Sequence, residues 1–313
     1  MKKITLLLAF VACVLVSQAQ LLLDENFNYT VGSEISTNGW TVHSGTTFPT
    51  LVTAPTITYV EYPKSGEGAE VTVGVTGIDV NRTFTKQTTG TVFISFLAKV
   101  DSATVLGDYF IHVGPDVIGT SFFGRTFVKA DATKKLAFGI QNASGGTGAT
   151  QTYTPFSYDL HTTYLIVLKV VVATGESSII VNPAMGTTEP NTGWISNNTG
   201  TTLPINIGSV ALRQGGATSA GIEKVDGIHV ATSYGALFAT AGLSSLSVDQ
   251  LKVKVIGKKL SVENASTTNV EIFNAIGAKV QFGQLESGSI QLNDLSKGLY
   301  IVRVGGKTTK IML

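Results

Sequence analysis

The sequence predicts an all-β protein made of two consecutive β-sandwiches, and three observations carry the prediction. Charged residues are 14% of the 313 and glycine occupies 34 positions, against about a quarter charged in an ordinary globular chain. Short apolar runs alternate with clusters of Gly, Asn, Asp, Pro and Thr, the residues that form turns. Long stretches rich in Glu, Lys and Ala with helical periodicity are missing.

The N-terminal segment stands outside this pattern. A basic MKK precedes the apolar run ITLLLAFVACVLV, and SQAQ supplies small residues for cleavage at Ala19 or Gln20. This is the layout of a secretory signal peptide, assigned to residues 1–20. The run is shorter than the ~20 apolar residues of a spanning helix, so no retained transmembrane helix is expected. Cys13 follows Ala12 and raises a lipoprotein reading, but the apolar run continues through Val16, where a lipidated cysteine opens a polar linker. Cys13 is the one cysteine, so the mature chain is expected to rest on its core, with no disulfide, thiolate metal site or cysteine nucleophile.

Residues 21–238 read as strands: TVFISFLAKV, GDYFIHVG, GRTFVKA, KLAFGIQ, TTYLIVLKVVVA and SSIIVNP are the clearest. NASGGTGATQTYTP and NPAMGTTEPNTGWISNNTGTTLP read as polar loops. Strands at this spacing without helices between them make a sandwich or barrel. A linker of small residues follows at 239–245. Residues 246–313 then hold seven short strands, LKVKVIG, KLSVEN, NVEIFNA, GAKVQFG, GSIQLND, GLYIVRV and KTTKIML. Their short connections predict antiparallel pairing in a small immunoglobulin-like sandwich. From Leu21 to Ser245 there are eleven basic residues against sixteen acidic, and from Leu246 to Leu313 nine against five. The lysines are scattered and not interleaved with aromatics on one face, which excludes a nucleic-acid partner.

The tail carries a family resemblance. Val270, Glu271, Ile272, Phe273, Asn274 and Gly277, then Leu292, Leu295, Gly298 and Tyr300, then a basic strand with Lys307 and Lys310 reaching Leu313, resemble the C-terminal sorting domain of type IX secretion cargo. A Tyr-Pro-Asn-Pro opening, frequent in that family, is replaced by LKVKVIGKKLSV. The resemblance implies export through the periplasm to the outer surface of a Gram-negative bacterium or into the medium, with the type IX machinery as partner. Gly277, Gly298, Tyr300, Val302, Lys307 and Lys310 are then the candidate sorting signal, read by β-augmentation on the last strand.

The body resembles the concanavalin A-like, laminin-G-like jelly rolls of secreted bacterial proteins. The residues are Asn26, Phe27, Gly39 and Trp40 near its start and Asp226, Ile228 and Val230 near its end. That family includes lectins, adhesive modules, glucanases and structural units, so fold does not settle function. Glycoside hydrolysis needs two carboxyls flanking the bond; the Glu-x-Asp-x-x-Glu string used by hydrolases of this fold is absent, and EKVD at Glu223 to Asp226 lacks the third acid. There is no Gly-x-Ser-x-Gly, and His43, His112, His161 and His229 have no metal-binding spacing. Strand alternation places Asp108, Phe110 and His112 on one face, Arg125, Phe127 and Lys129 on one face, and Lys169 opposite Tyr164, Ile166 and Leu168. If these strands adjoin, Asp108, His112, Arg125 and Lys169 share a face with Phe110 and Phe127, a set of donors and aromatic planes suited to a sugar; otherwise they form a solvated outer face. Trp194 in its polar loop is either a stacking platform or a plug over the sandwich edge, and Trp40 is read as core. In jelly rolls a structural calcium near the first and last strands would use Asp24, Glu25 and Asp226; the alternative is ordinary surface acids. The function expected is a secreted, non-catalytic surface module for glycan binding, adhesion or structure. A polysaccharide-acting hydrolase or lyase and a ligand-free structural protein are the alternatives.

Overall fold

The computed structural model describes residues 20–143, 148–200, 205–239, 252–263, 269–274, 277–304 and 307–313. The signal segment with Ala19, and all but the first residue of the expected linker, lie outside them. The chain divides into two compact units, one ending at Thr240 and one running from Ala241 to Leu313. No helix among the described residues is long and apolar enough to cross a membrane.

The first unit contains β1 (Leu21–Glu25), β2 (Thr41–Ser44), β3 (Val52–Thr53), β4 (Glu70–Val73), β5 (Asp79–Gln87), β6 (Thr91–Ser102), β7 (Asp108–Gly114) and β8 (Phe123–Ala130). It continues with β9 (Leu136–Ala143), β10 (Thr152–Tyr153), β11 (Thr163–Val171), β12 (Ser177–Val181), β13 (Ile195–Asn197), β14 (Ile207–Leu212) and β15 (Ile222–Ala231). They form an eight-stranded sheet in the order β13-β12-β11-β6-β15-β4-β3, with β1 also on β15, and a seven-stranded sheet in the order β10-β9-β8-β7-β14-β5-β2. The chain passes between the two sheets at β1–β2–β3, at β4–β5–β6–β7, at β10–β11 and at β13–β14–β15. These crossings leave antiparallel partners distant in sequence, the jelly-roll pattern.

Alternation explains why β6 is a continuous apolar run. Val92, Ile94, Phe96, Ala98 and Val100 enter the core between the sheets. Phe93 and Leu97 point to the other side, where Tyr234, Leu237 and Ile180 cover Phe93 and Tyr62, Ile57 and Leu165 cover Leu97. A strand covered on both faces gains ~1.5–3 kcal/mol for each large apolar side chain removed from water. In β15 the alternation breaks at Gly227, whose φ of 57° suits a residue without Cβ. Pairing with β6 jumps there from Asp226↔Leu97 to His229↔Ser95. The bulge lets one edge of β15 take β4 along Glu223 to Val225 and β1 along Ile228 to Ala231. Trp40 is core as expected, 3% exposed and stacked on Phe27.

The second unit has the seven strands read from the sequence: β16 (Lys252–Ile256), β17 (Lys259–Glu263), β18 (Asn269–Asn274), β19 (Lys279–Gln284), β20 (Ser289–Gln291), β21 (Leu299–Val304) and β22 (Lys307–Met312). They form two sheets, β16-β17-β20 and β19-β18-β21-β22. Leu260, Val270, Ile272, Tyr300, Val302, Val304 and Ile311 make its core, each on the inward phase of its strand.

Candidate functional site

The outer face of the seven-stranded sheet gathers cations over aromatic rings. Across β7, β8, β9 and β10, register aligns Tyr109 with Phe127, Phe127 with Gly139 and Gly139 with Tyr153. The Tyr109 and Phe127 ring centroids lie 5.4 Å apart, and those of Phe127 and Tyr153 6.4 Å apart. Gly139 is the floor beneath Tyr153: a Cβ there would fall 2.5 Å from Tyr153 Cε1. The Arg125 guanidinium lies 5.0 Å from the Tyr109 centroid and 5.7 Å from that of Phe127. Lys129 Nζ sits 3.8 Å over Tyr153 and 5.4 Å from Phe156. Arg213 is 4.2 Å from the Tyr109 centroid.

Arg125 Nη2 donates to Gln141 Oε1 and to the Ala143 carbonyl at 3.2 Å, while its buried Nε has no acceptor among the described residues. Burial lowers its pKa from the ordinary arginine value, though a guanidinium stays charged. Arg213 pairs with Asp108 at 2.8 Å. Asp108 also accepts from Ser219 Oγ at 2.7 Å and Gly216 N at 3.0 Å. Burial pushes this carboxyl up, but those bonds and Arg213 outweigh it and the pKa falls.

Two parts of the expected face are corrected. The β7–β8 register skips Phe110, running from Tyr109↔Phe127 to Ile111↔Thr126, so a β-bulge restarts the alternation. Phe110 therefore turns into the core with Ile111, edge-on to Phe96 at 6.1 Å, and Tyr109 takes its place beside His112. Lys169 lies in β11, on the eight-stranded sheet, where it pairs with Glu189 at 2.7 Å and stands 5.5 Å from Trp194. Of the expected set, His112, Arg125 and Phe127 are together, and Asp108 anchors Arg213 from the margin. His112 is 1% exposed and packed against Phe122 at 4.8 Å; burial pushes its pKa down to about 3, so it is neutral at physiological pH. Tyr109, Gln141, Tyr153 and Arg213 were not among the predicted residues.

Trp194 folds back onto the cluster of Phe93, Val167 and Ile180, its indole N–H donating to the Pro190 carbonyl at 2.9 Å. The three acids considered for calcium are each held by protein donors. Asp24 accepts from Asn26 at 2.7 Å, and His229, with Lys64, holds its carboxyl well below the usual range. Glu25 accepts from Phe27 N at 2.8 Å, Tyr29 Oη at 2.7 Å and Trp40 Nε1 at 3.1 Å. Asp226 accepts from Thr56 Oγ1 at 2.7 Å and Gly227 N at 2.6 Å, and burial pushes its pKa up to about 7. Among the described residues no group of three or more His, Cys, Asp or Glu is placed to hold a metal.

In the tail, the expected sorting residues have structural causes. Gly277 has a φ of 80° and closes the β18–β19 hairpin by donating to Asn274 O at 3.0 Å, while Asn274 Oδ1 accepts from Ala278 N at 2.9 Å. Gly298 and Leu313 exchange backbone bonds at 3.1 and 3.0 Å, zipping β22 onto β21. Tyr300 is buried with its hydroxyl donating to Ser296 O at 2.8 Å, and Val302 is fully buried. Lys307 is in register with Val304, and Lys310 is exposed on β22, an edge strand of its sheet.

No curated protein matches the chain. Among solved structures, it is similar to the CBM2 module of the evolved Dit of Lactobacillus casei BL23 phage J-1, at 14% identity and TM-score 0.42, over 69% of this chain and 96% of that one. It is similar to a glycosyl hydrolase family protein from Mycobacterium fortuitum, at 12% identity and TM-score 0.40, over 67% and 99%. It is also similar to alginate lyase A1-II′ of polysaccharide lyase family 7, at 10% identity and TM-score 0.36, over 55% and 83%. Residues 249–312 match the family described as the secretion system C-terminal sorting domain. The tail of this chain therefore carries a secretion system C-terminal sorting domain.

Proposed function

We propose that this chain is a type IX cargo whose body is a non-catalytic glycan-binding module, delivered to the cell surface or the medium. The observation that carries the reading is the row of Tyr109, Phe127 and Tyr153 across four adjacent strands with Arg125 and Lys129 over the rings. Tyr153 and the exposed Phe156 accept the C–H face of a pyranose beside Lys129, while Tyr109 and Phe127, 9% and 6% exposed, brace that surface from beneath. His112, the one histidine directly against Tyr109, is neutral and shielded, which suits a rigid support better than a proton shuttle. The test is a glycan array on the purified full chain together with a reducing-sugar assay. Binding without sugar release supports the reading. Release of reducing ends replaces it with a polysaccharide-acting enzyme, and silence in both assays replaces it with a ligand-free structural protein.

A further inference from the structure

We infer that the glycan recognised on this face is acidic, bearing carboxylate or sulfate groups that Arg125 and Lys129 neutralise beside Tyr153 and Phe156; the inference rests on the glycan reading above. The body is acidic overall, and Lys64, Lys86, Lys135, Lys169 and Lys224 each sit on a carboxylate. Among the described residues Lys99 and Lys134 have no such partner, and neither do two cations of the aromatic row. Arg213 has Asp108, but neither Arg125 nor Lys129 has a carboxylate within ion-pair distance among the described residues.

Geometry then restricts the ligand. Arg125 stands over the Tyr109–Phe127 end of the row and Lys129 over the Tyr153 end. The Phe127 centroid lies 5.4 Å from that of Tyr109 and 6.4 Å from that of Tyr153, a row with the reach of a short oligosaccharide. The two positive charges are therefore separated along a stacking surface, which fits acidic groups recurring along a sugar chain. A neutral glycan would leave both cations without counter-charge.

The test uses the purified full chain and four probes: polygalacturonate, chondroitin sulfate, neutral dextran and single-stranded oligothymidylate. Binding to an acidic polymer is expected, and it should weaken sharply near 1 M salt, where the screening length is roughly 3 Å. Arg125→Met and Lys129→Met should each weaken it by about tenfold to a hundredfold, with Arg125→Lys retaining part of the affinity. Lys135→Ala, a cation paired with Asp159 elsewhere, should bind as the parent does. If Arg125→Met does not fold, Lys129→Met decides alone, because Lys129 Nζ makes only ring contacts. Binding to neutral glycans on the array and to neither acidic probe, with Lys129→Met without effect, overturns the acidic assignment and leaves the glycan reading standing. Binding to oligothymidylate and to no glycan overturns both.

Discussion

Gly139 offers a test of the aromatic row that reverses sign with its neighbour. The three atoms nearest to a Cβ built there are Tyr153 Cε1, Cδ1 and Cζ, at 2.5, 2.6 and 3.0 Å, so Gly139→Ala must lift the ring. Lifting it costs the Lys129 cation–π contact, worth ~0.5–1 kcal/mol, and the edge contact with Phe127, worth ~0.5–1.5 kcal/mol. Against this, alanine is favoured over glycine in a strand by ~0.5–1 kcal/mol. The single variant should therefore lose about 1 kcal/mol, a fall of ~2–4 °C in Tm for a domain of this size, and weaken glycan binding. In a Tyr153→Ala background the obstruction is gone, and Gly139→Ala should stabilise by ~0.5–1 kcal/mol. Thermal unfolding of the four proteins in the double-mutant cycle measures the coupling. Equal effects of Gly139→Ala in both backgrounds would refute the packing argument and with it the row.

Three further outcomes are expected. Burial holds Glu223 protonated, its pKa pushed up from 4.5 to about 8. The folded state keeps a proton that the unfolded chain releases, so this contribution is full below about pH 4.5 and is lost as pH rises through about 8. Glu223→Gln should remove a fall on the order of 2–4 kcal/mol from urea melts taken across that range, and a wild-type stability that does not decline there would contradict it. Deleting residues 307–313 removes β22 and strips cover from Tyr300 and Val302. The body should melt unchanged while export stalls in the periplasm, and efficient surface delivery of the deletion would sink the sorting role. N-terminal sequencing of the secreted protein should begin at Gln20 or Leu21, and a chain starting at a lipidated Cys13 would make it a lipoprotein.

The parts of the fold that depend on local pattern were legible. Turn residues at short intervals marked all seven tail strands, and β6, β7, β8, β9, β11 and β12 coincide with apolar runs. What depends on pairing was not. Nothing in GDYFIHVG marks Phe110 as a bulge, because the cause lies in the partner strand β8 and its register. Lys169 has the right phase on its own strand, but phase cannot say which sheet a strand joins. Tyr153 sits in a run read as loop, and its two-residue strand exists because Gly139 leaves room for the ring. Gly277 and Tyr300 were legible because each satisfies a need within its own hairpin or turn, the αL corner and the bond to Ser296.

The seating of β1 on β15 has a kinetic meaning. Gln20 and Thr232, joined by a hydrogen bond at the end of that ladder, are 212 residues apart. Glu25, on β1, holds Trp40 and Tyr29 by its carboxylate, so the aromatic corner of the core completes only around a strand whose partner is the last strand of the body to leave the ribosome. Contacts this remote in sequence make folding slow. Such a delay keeps the body open until almost all of it has been synthesised.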